Sequence, residues 1–249
     1  MGTSRRNFAK NILAASAAFS LQSFANAGVE KKKNSKKKIV CLGGHPDDPE
    51  CGCGGTLAKL VSQGHEVTVI YLTRGEAGIE GKSHDEAAAI RTKESVAACR
   101  VLNARPVFAG QIDGESVVNN EWINKVKSLI TDEKPDIVFA HWPIDTHKDH
   151  QCASILTIQA WVRSGRNFAL YFFETCSGSQ TTGFKPTDYV DISATQEQKR
   201  KAVFCHESQN PPGLYASSGC NHATMEKFRG IEINVAAAEA FVRIGNEYI

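Results

Sequence analysis

The chain has 249 residues, 41% of them hydrophobic and 22% charged, with a formal net charge of +2. That is a soluble globular composition, long enough for one sizeable core. The near-neutral balance argues against a nucleic-acid partner, and no segment reaches comfortable membrane-spanning length.

Residues 1–27 read as an export signal. "SRRNFAK" is followed by the apolar run "ILAASAAFSL" and by "ANA", a small-residue cleavage pattern. The arginine pair, with Phe8 and Lys10 behind it, resembles the twin-arginine signal, which predicts an exported, periplasmic protein. An ordinary secretory signal with a basic end is the alternative. Residues 28–38, rich in lysine, read as a solvated linker, and 39–249 as one domain without internal repeats. The eight cysteines contain no C-x-x-C. Cys205 and Cys220 flank a loop that a disulfide would close in an oxidising compartment. Cys41, Cys99, Cys152 and Cys176 sit in apolar contexts, where cysteine behaves as a small hydrophobe.

Within the domain, strand and helix patterns alternate. Strands are expected at 38–44, 66–73, 105–110, 136–143, 168–175 and 187–193. Helices are expected at 55–64, 85–104, 119–135, 147–165 and 195–208. In the 85–104 helix, Ala89, Ile90, Val96, Ala97 and Val101 are expected to form the apolar face, with Arg91 and Glu94 as an i,i+3 pair. "PPGLYASSG" reads as turn chemistry and 234–244, "NVAAAEAFVRI", as a closing helix. Alternation at this spacing predicts an α/β fold: a doubly wound, mainly parallel, Rossmann-like sheet with helices on both faces.

Two polar clusters fall at the ends of strands. "HPDD" follows the first strand with His45, Asp47 and Asp48; "HWPIDTHKDH" follows the fourth with His141, Asp145, His147, Asp149 and His150. In a sheet of order 3-2-1-4 these strands are neighbours, and the crevice between them is where ligands bind. Zinc takes imidazole nitrogen and carboxylate oxygen, and catalytic sites keep three protein ligands. His45, Asp48 and His150 supply such a set, with Asp47 and His147 left beside the open position as candidate base and acid. Each cluster alone has an ordinary reading, a helix cap or a surface His-x-x-His; placed together they point to a cation. Cys51 and Cys53, spaced C-x-C, are poorly placed to share a tetrahedral ion, and no G-x-G-x-x-G supports a dinucleotide. His141 and Asp145 stay open between supporting and packing roles. His65, His84 and His222 have no partner pattern and are expected at the surface.

These motifs resemble the PIG-L, or LmbE-like, metal-dependent N-deacetylases. The likeness rests on "HPDD" with "CGGTLA" behind it, "LTRGEAG", the "P-x-D-x-H-x-D-H" segment, "HESQ" at His206 and "AEAF" near the end. It implies Zn2+, or another divalent metal, on His45, Asp48 and His150, with Asp47 as general base. His147 would polarise the acetyl oxygen or protonate the leaving amine, with Asp149 orienting its ring. Arg74 would contact substrate. Cys51 and Pro49 depart from the family pattern and put the packing of that helix start in question. The expected activity is removal of acetyl from an N-acetylated sugar of N-acetylglucosamine type, with a small-molecule or glycan substrate as partner. An amidase acting on a larger acyl or thiol conjugate, or an exported carbohydrate-binding protein without turnover, are the alternatives.

Overall fold

The computed structural model describes residues 35–216 and 221–245. The expected export signal and residues 28–34 of the linker lie outside the described residues. A seven-stranded sheet runs in the order β3-β2-β1-β4-β5-β7-β6. Its strands are β1 (Lys38–Gly43), β2 (Glu66–Tyr71), β3 (Arg105–Phe108), β4 (Ile137–His141), β5 (Ala169–Phe173), β6 (Asp188–Asp191) and β7 (Ala238–Ile244). The helices are α1 (Asp48–Ser62), α2 (His84–Leu102), α3 (Asn120–Thr131), α4 (Lys148–Arg163), α5 (Gln196–Val203), α6 (Pro211–Ala216) and α7 (His222–Glu232). None of the described helices is long and apolar enough to cross a membrane.

The five strands β1 to β5 are parallel, and β1 is buried from Ile39 onward. Its side chains alternate between two cores. Ile39 and Cys41 join Leu57, Ala98, Leu102 and Ala202 on the face covered by α1, α2 and α5. Val40 and Leu42 join Ile123, Val126, Leu156 and Ala160 beneath α3 and α4. Burial on both faces is why these strands read as nearly continuous apolar runs. The basic linker ends later in sequence than it does in space: the Lys38 amide donates to Asp136 Oδ2 at 2.8 Å, at the foot of the sheet.

Three expected element assignments are corrected. Residues 234–244 are not a closing helix; β7 pairs antiparallel with both β5 and β6. Alanine-rich helix propensity is overridden there by burial of Ala238, Ala240 and Phe241 between neighbours. The "PPGLYA" segment is the helix α6, its two prolines sitting at the start where a missing amide costs nothing. Helix α1 begins at Asp48, seven residues before the expected start at Gly55, with a proline in its first turn. This answers the question raised by Pro49 and Cys51. Glycine at Gly52 is required because a Cβ there would run into the Phe173 ring.

On α2 the buried side is Ala87, Ala88, Arg91, Ser95, Ala98, Cys99 and Leu102, one position out of phase with the expected face; Ala89 is exposed. Arg91 therefore makes no pair with Glu94. Glu94 accepts from the Ser208 amide and hydroxyl, both at 2.7 Å. The cysteine expectation also changes. Cys205 is a free thiol, so the Cys205–Cys220 bridge is not formed, and Cys220 itself lies outside the described residues. Cys176, expected to pack as a hydrophobe, is disulfide-bonded.

Candidate active site

β1 and β4 lie side by side in register, Leu42 opposite Ala140, so their carboxyl ends deliver the two polar clusters to one place. There the chain from Gly44 turns into α1, and the chain from His141 turns into α4. A cavity of about 500 Å³ opens above them, lined among others by His45, Asp47, Asp48, Arg91, Asp113, His147 and His150.

Asp48 is the hub. Its Oδ2 lies 3.1 Å from His45 Nδ1 and 3.2 Å from His141 Nε2, and its Oδ1 lies 3.2 Å from His150 Nε2. Among the described residues, three sets could hold a metal ion, the ligand atoms of each lying within 4.8 Å of one another. They are His45 with His147 and His150, Asp48 with His141 and His150, and His45 with Asp113 and Asp149. The expected set of His45, Asp48 and His150 is not itself one of the three, although Asp48 lies 3.1 Å from His45 and 3.2 Å from His150. Their chemistry suits a divalent ion, which takes imidazole nitrogens together with carboxylate oxygens. Burial lowers the His150 pKa, but Asp48 and Asp145 more than offset it and lift it to about 9. The same contest leaves His45 well above its ordinary value. Burial pushes Asp48 up, and His150 and His141 outweigh it and hold it well below the usual carboxylate range.

Supporting groups fix each ring. Asp145 Oδ1 lies 3.2 Å from His150 Nδ1 and accepts the His147 amide at 2.8 Å, while its Oδ2 accepts from the Thr181 hydroxyl at 3.0 Å. Asp145 is therefore a carboxylate that aims a histidine, the arrangement usual behind metal-binding imidazoles. His141 accepts the Gly44 amide at Nε2 and stacks on His150 with 4.0 Å between centroids. Burial and the neighbouring His150 lower its pKa to about 4, so its ring is neutral. His147 caps α4, its Nδ1 accepting the Asp149 amide at 3.3 Å. With Nδ1 accepting, the neutral ring carries its proton on Nε2.

Asp149 departs from expectation. Its carboxylate does not reach His147; Oδ2 lies 3.1 Å from His45 Nε2 and accepts the Gly114 amide at 2.7 Å. Only its backbone amide meets the His147 ring. Asp113, on the loop after β3, also lies 3.1 Å from His45 Nε2. Glu76 ties this loop down by accepting the Asp113 amide at 3.2 Å and the Arg74 Nε at 3.2 Å. Arg74 itself is half-exposed and stands outside the cavity lining, so the geometry does not place it on a bound ligand.

The arginine at the cavity is Arg91. Its Nη2 donates to the Pro46 carbonyl at 2.6 Å and to Asp47 Oδ2 at 3.1 Å. It reaches them by passing Gly75 and Gly78, where any Cβ would collide with the guanidinium. The glycines of "RGEAG" are the passage for this side chain. Asp47 has φ 109°, a region that non-glycine residues rarely occupy and that costs on the order of 1–3 kcal/mol. Burial raises its pKa to about 6, with Arg91 the largest opposing influence. Behind it, buried Glu50 accepts from Tyr71 at 2.5 Å and lies 3.5 Å from His206 of "HESQ".

Two of the three histidines expected at the surface are buried: His222 lines the cavity beside Cys176, and His65 accepts the Lys37 amide at 3.2 Å. His84 is exposed, as expected. Arg91 carried a signal that was available, a charged residue in phase with the small positions Ala87, Ala88, Ser95 and Ala98. Asp113 carried none.

The PIG-L family profile, described as GlcNAc-PI de-N-acetylase, matches residues 40–161, which span both clusters. The diacetylchitobiose deacetylase of Thermococcus kodakarensis is 34% identical over 197 residues, 73% of each chain. The 1D-myo-inositol 2-acetamido-2-deoxy-alpha-D-glucopyranoside deacetylase of Rhodococcus erythropolis is 29% identical over 156 residues, 51% of this chain and 53% of that one. In structure, the N,N'-diacetylchitobiose deacetylase of Pyrococcus horikoshii superposes with a TM-score of 0.74 at 26% identity, covering 98% of this chain and 94% of that one. From the sheet order, the paired clusters at its centre and this breadth of likeness, the chain belongs to the PIG-L family.

Proposed function

We propose that this protein is a zinc-dependent hydrolase that removes the acetyl group from an N-acetylated sugar. The observation that carries it is the meeting of His45, Asp48 and His150 on one wall of a cavity that Asp47 and Arg91 also line. His45, Asp48 and His150 would hold the ion. When bound, zinc supplies Lewis acidity toward the amide carbonyl and acidifies water.

The remaining steps fall to the chain itself. Asp47 takes a proton from the attacking water, and its pKa of about 6 leaves it mostly ionised yet still basic at neutral pH. Arg91 holds that carboxylate in place from one side. His147, protonated at Nε2 and half-buried, donates to the acetyl oxygen as charge develops there, the role of an oxyanion donor. Asp113 and Asp149 fix His45, and Asp145 fixes His150. The carbon–nitrogen bond then breaks, the amine leaves with the proton taken from water, and acetate is released.

Export through a twin-arginine signal at residues 1–27 to the periplasm belongs to the same proposal. The Cys176 disulfide supports it, since such bonds persist in oxidising compartments. Replacing Arg5 and Arg6 together by lysine should retain the protein in the cytoplasm on cell fractionation; unchanged export removes the twin-arginine assignment.

The activity is tested by acetate release from N-acetylglucosamine and N,N'-diacetylchitobiose with zinc-loaded protein. Asp47→Asn should keep its ion and lose on the order of 10²-fold or more in kcat, whereas His150→Ala should lose the ion. Normal turnover by the asparagine variant overturns the base assignment. Absence of acetate from both sugars overturns the activity.

A further inference from the structure

A separate cavity of about 330 Å³ lies between the last turns of α1 and the edge strand β6. It shares no lining residue with the catalytic cavity. Lys59, on its rim, stands eleven residues beyond Asp48 on α1, about 16 Å along the helix. The floor is aromatic: Phe139, Tyr171 and Phe241, contributed by β4, β5 and β7. The Phe139 ring centroid lies 5.1 Å from that of Phe241 and 5.5 Å from that of Tyr171. Leu60 of α1 and Val190 of β6 add apolar surface from either side. A crevice of this size, mostly apolar with a few polar groups, is the usual form of a small-ligand site.

Two polar groups of α1 in this lining have bonding capacity to spare. Thr56 is 2% exposed, and its Oγ1 has no hydrogen-bond partner, a state that buried hydroxyls rarely keep. Lys59 follows at i+3 and so shares its face of the helix. Its Nζ donates to the Asp191 carbonyl at 2.7 Å, which takes one of the three ammonium hydrogens. The carboxylate in the lining, Asp188, is already answered: it accepts from the Thr187 hydroxyl at 2.6 Å and lies 3.9 Å from Arg243 Nε. The charge left for a ligand at this rim is therefore positive. Lys38 adds to it, because its carbonyl accepts the amide of Asp136, the residue before Ile137 of the lining, at 2.8 Å.

We infer that this crevice binds a free fatty acid: a single unbranched alkyl chain over the aromatic floor, with its carboxylate on Lys59 and the Thr56 hydroxyl. A water's share of liquid volume is about 30 Å³ and a methylene occupies about as much, so the crevice holds on the order of ten carbons. That is room for one chain, which separates the ligand from a two-chain phospholipid. The site uses none of the catalytic residues and stands independently of the deacetylase proposal.

The experiment titrates the full chain by calorimetry with hexanoate, octanoate, decanoate and dodecanoate, each below its micellar concentration. Affinity should rise about fourfold per added methylene, the ratio equivalent to ~0.8 kcal/mol of burial, and level off near about ten carbons. Decanoate should bind about tenfold tighter than decan-1-ol, a margin that Lys59→Met removes and Lys59→Arg keeps. Leu60→Trp and Val190→Trp fill the crevice from opposite sides. Each should weaken decanoate about tenfold or more with the circular dichroism spectrum unchanged, and the second serves where the first misfolds. A chain-length series without slope, or decanoate binding that survives both tryptophan variants, overturns the site. Equal binding of decanoate and decan-1-ol overturns the carboxylate contact. Phosphatidylglycerol vesicles that bind the chain while soluble carboxylates do not overturn the fatty-acid pocket in favour of a lipid surface.

Discussion

Replacing Arg91 by methionine should move the acid limb of the activity profile while leaving the ion in place. Arg91 is 3% exposed, and its Nη2 lies 3.1 Å from Asp47 Oδ2. Burial is what raises Asp47, and the guanidinium is the largest influence holding it down at about 6. Methionine retains much of the stem's packing and removes the charge. An opposite charge at this range is worth ~1–3 pKa units to a carboxyl. Taking the middle of that range, Asp47 rises to ~8, so at pH 7 its ionised fraction falls from ~90% to ~10%. A base that must be ionised then loses about ninefold in kcat/KM at pH 7 and recovers toward pH 9. The ion proposed beside Asp47 would draw its pKa down in both proteins, so the quantity to read is the displacement between the two limbs rather than the rate at one pH. The assay is kcat/KM from pH 5 to 9 on N-acetylglucosamine, with zinc content measured on the same samples. Arg91→Lys should show a smaller displacement, because an ammonium keeps the charge but lacks the planar fork. An Arg91→Met limb coincident with wild type, at equal zinc content, refutes the coupling of Arg91 to the base.

Three further outcomes follow from neighbouring groups. Asp145→Ala removes the carboxylate behind His150 and should weaken zinc binding about 10–100-fold by chelator competition; unchanged affinity would mean that Asp145 only shapes the turn. Lys199, 1% exposed, lies 2.6 Å from Glu239 and 2.8 Å from Glu226, so Lys199→Met strands two buried carboxylates and should cost about 3–5 kcal/mol in urea unfolding. His222 is depressed from 6.5 to about 4, chiefly by burial and then by Lys199. Between those values the unfolded chain binds a proton that the folded chain refuses, so stability falls as pH falls through this window. The loss attributable to His222 reaches about 2 kcal/mol by pH 5 and about 3 kcal/mol below pH 4. His222→Gln should flatten the change in urea midpoint between pH 7.5 and 5; an unaltered slope would assign the acid lability elsewhere.

What could be read in the sequence and what could not divide along a physical line. The parallel sheet was legible because β1, β2 and β4 are buried on both faces and each carries its own apolar run. The meeting of the two polar clusters was legible because each cluster is local, and strand order alone makes them neighbours. Arg91 was legible only as a charged residue in phase with small positions, because its partners Asp47 and Pro46 lie some forty residues earlier, and helical periodicity names a face without naming what that face meets. A search for apolar phase discards such a residue, since a buried arginine looks like noise in the pattern until its partner is known. The same limit explains β7, whose alanines favour helix in isolation and become strand only through β5 and β6 on either side. It explains where the carboxylates of Asp149 and Asp145 lie as well. Both flank the histidines in sequence, and only the direction in which α4 departs sends the first to His45 and leaves the second behind His150. A motif therefore identified the atoms available for chemistry, while the pairing that sets base strength and ligand orientation arose from contacts between loops that sequence spacing does not encode.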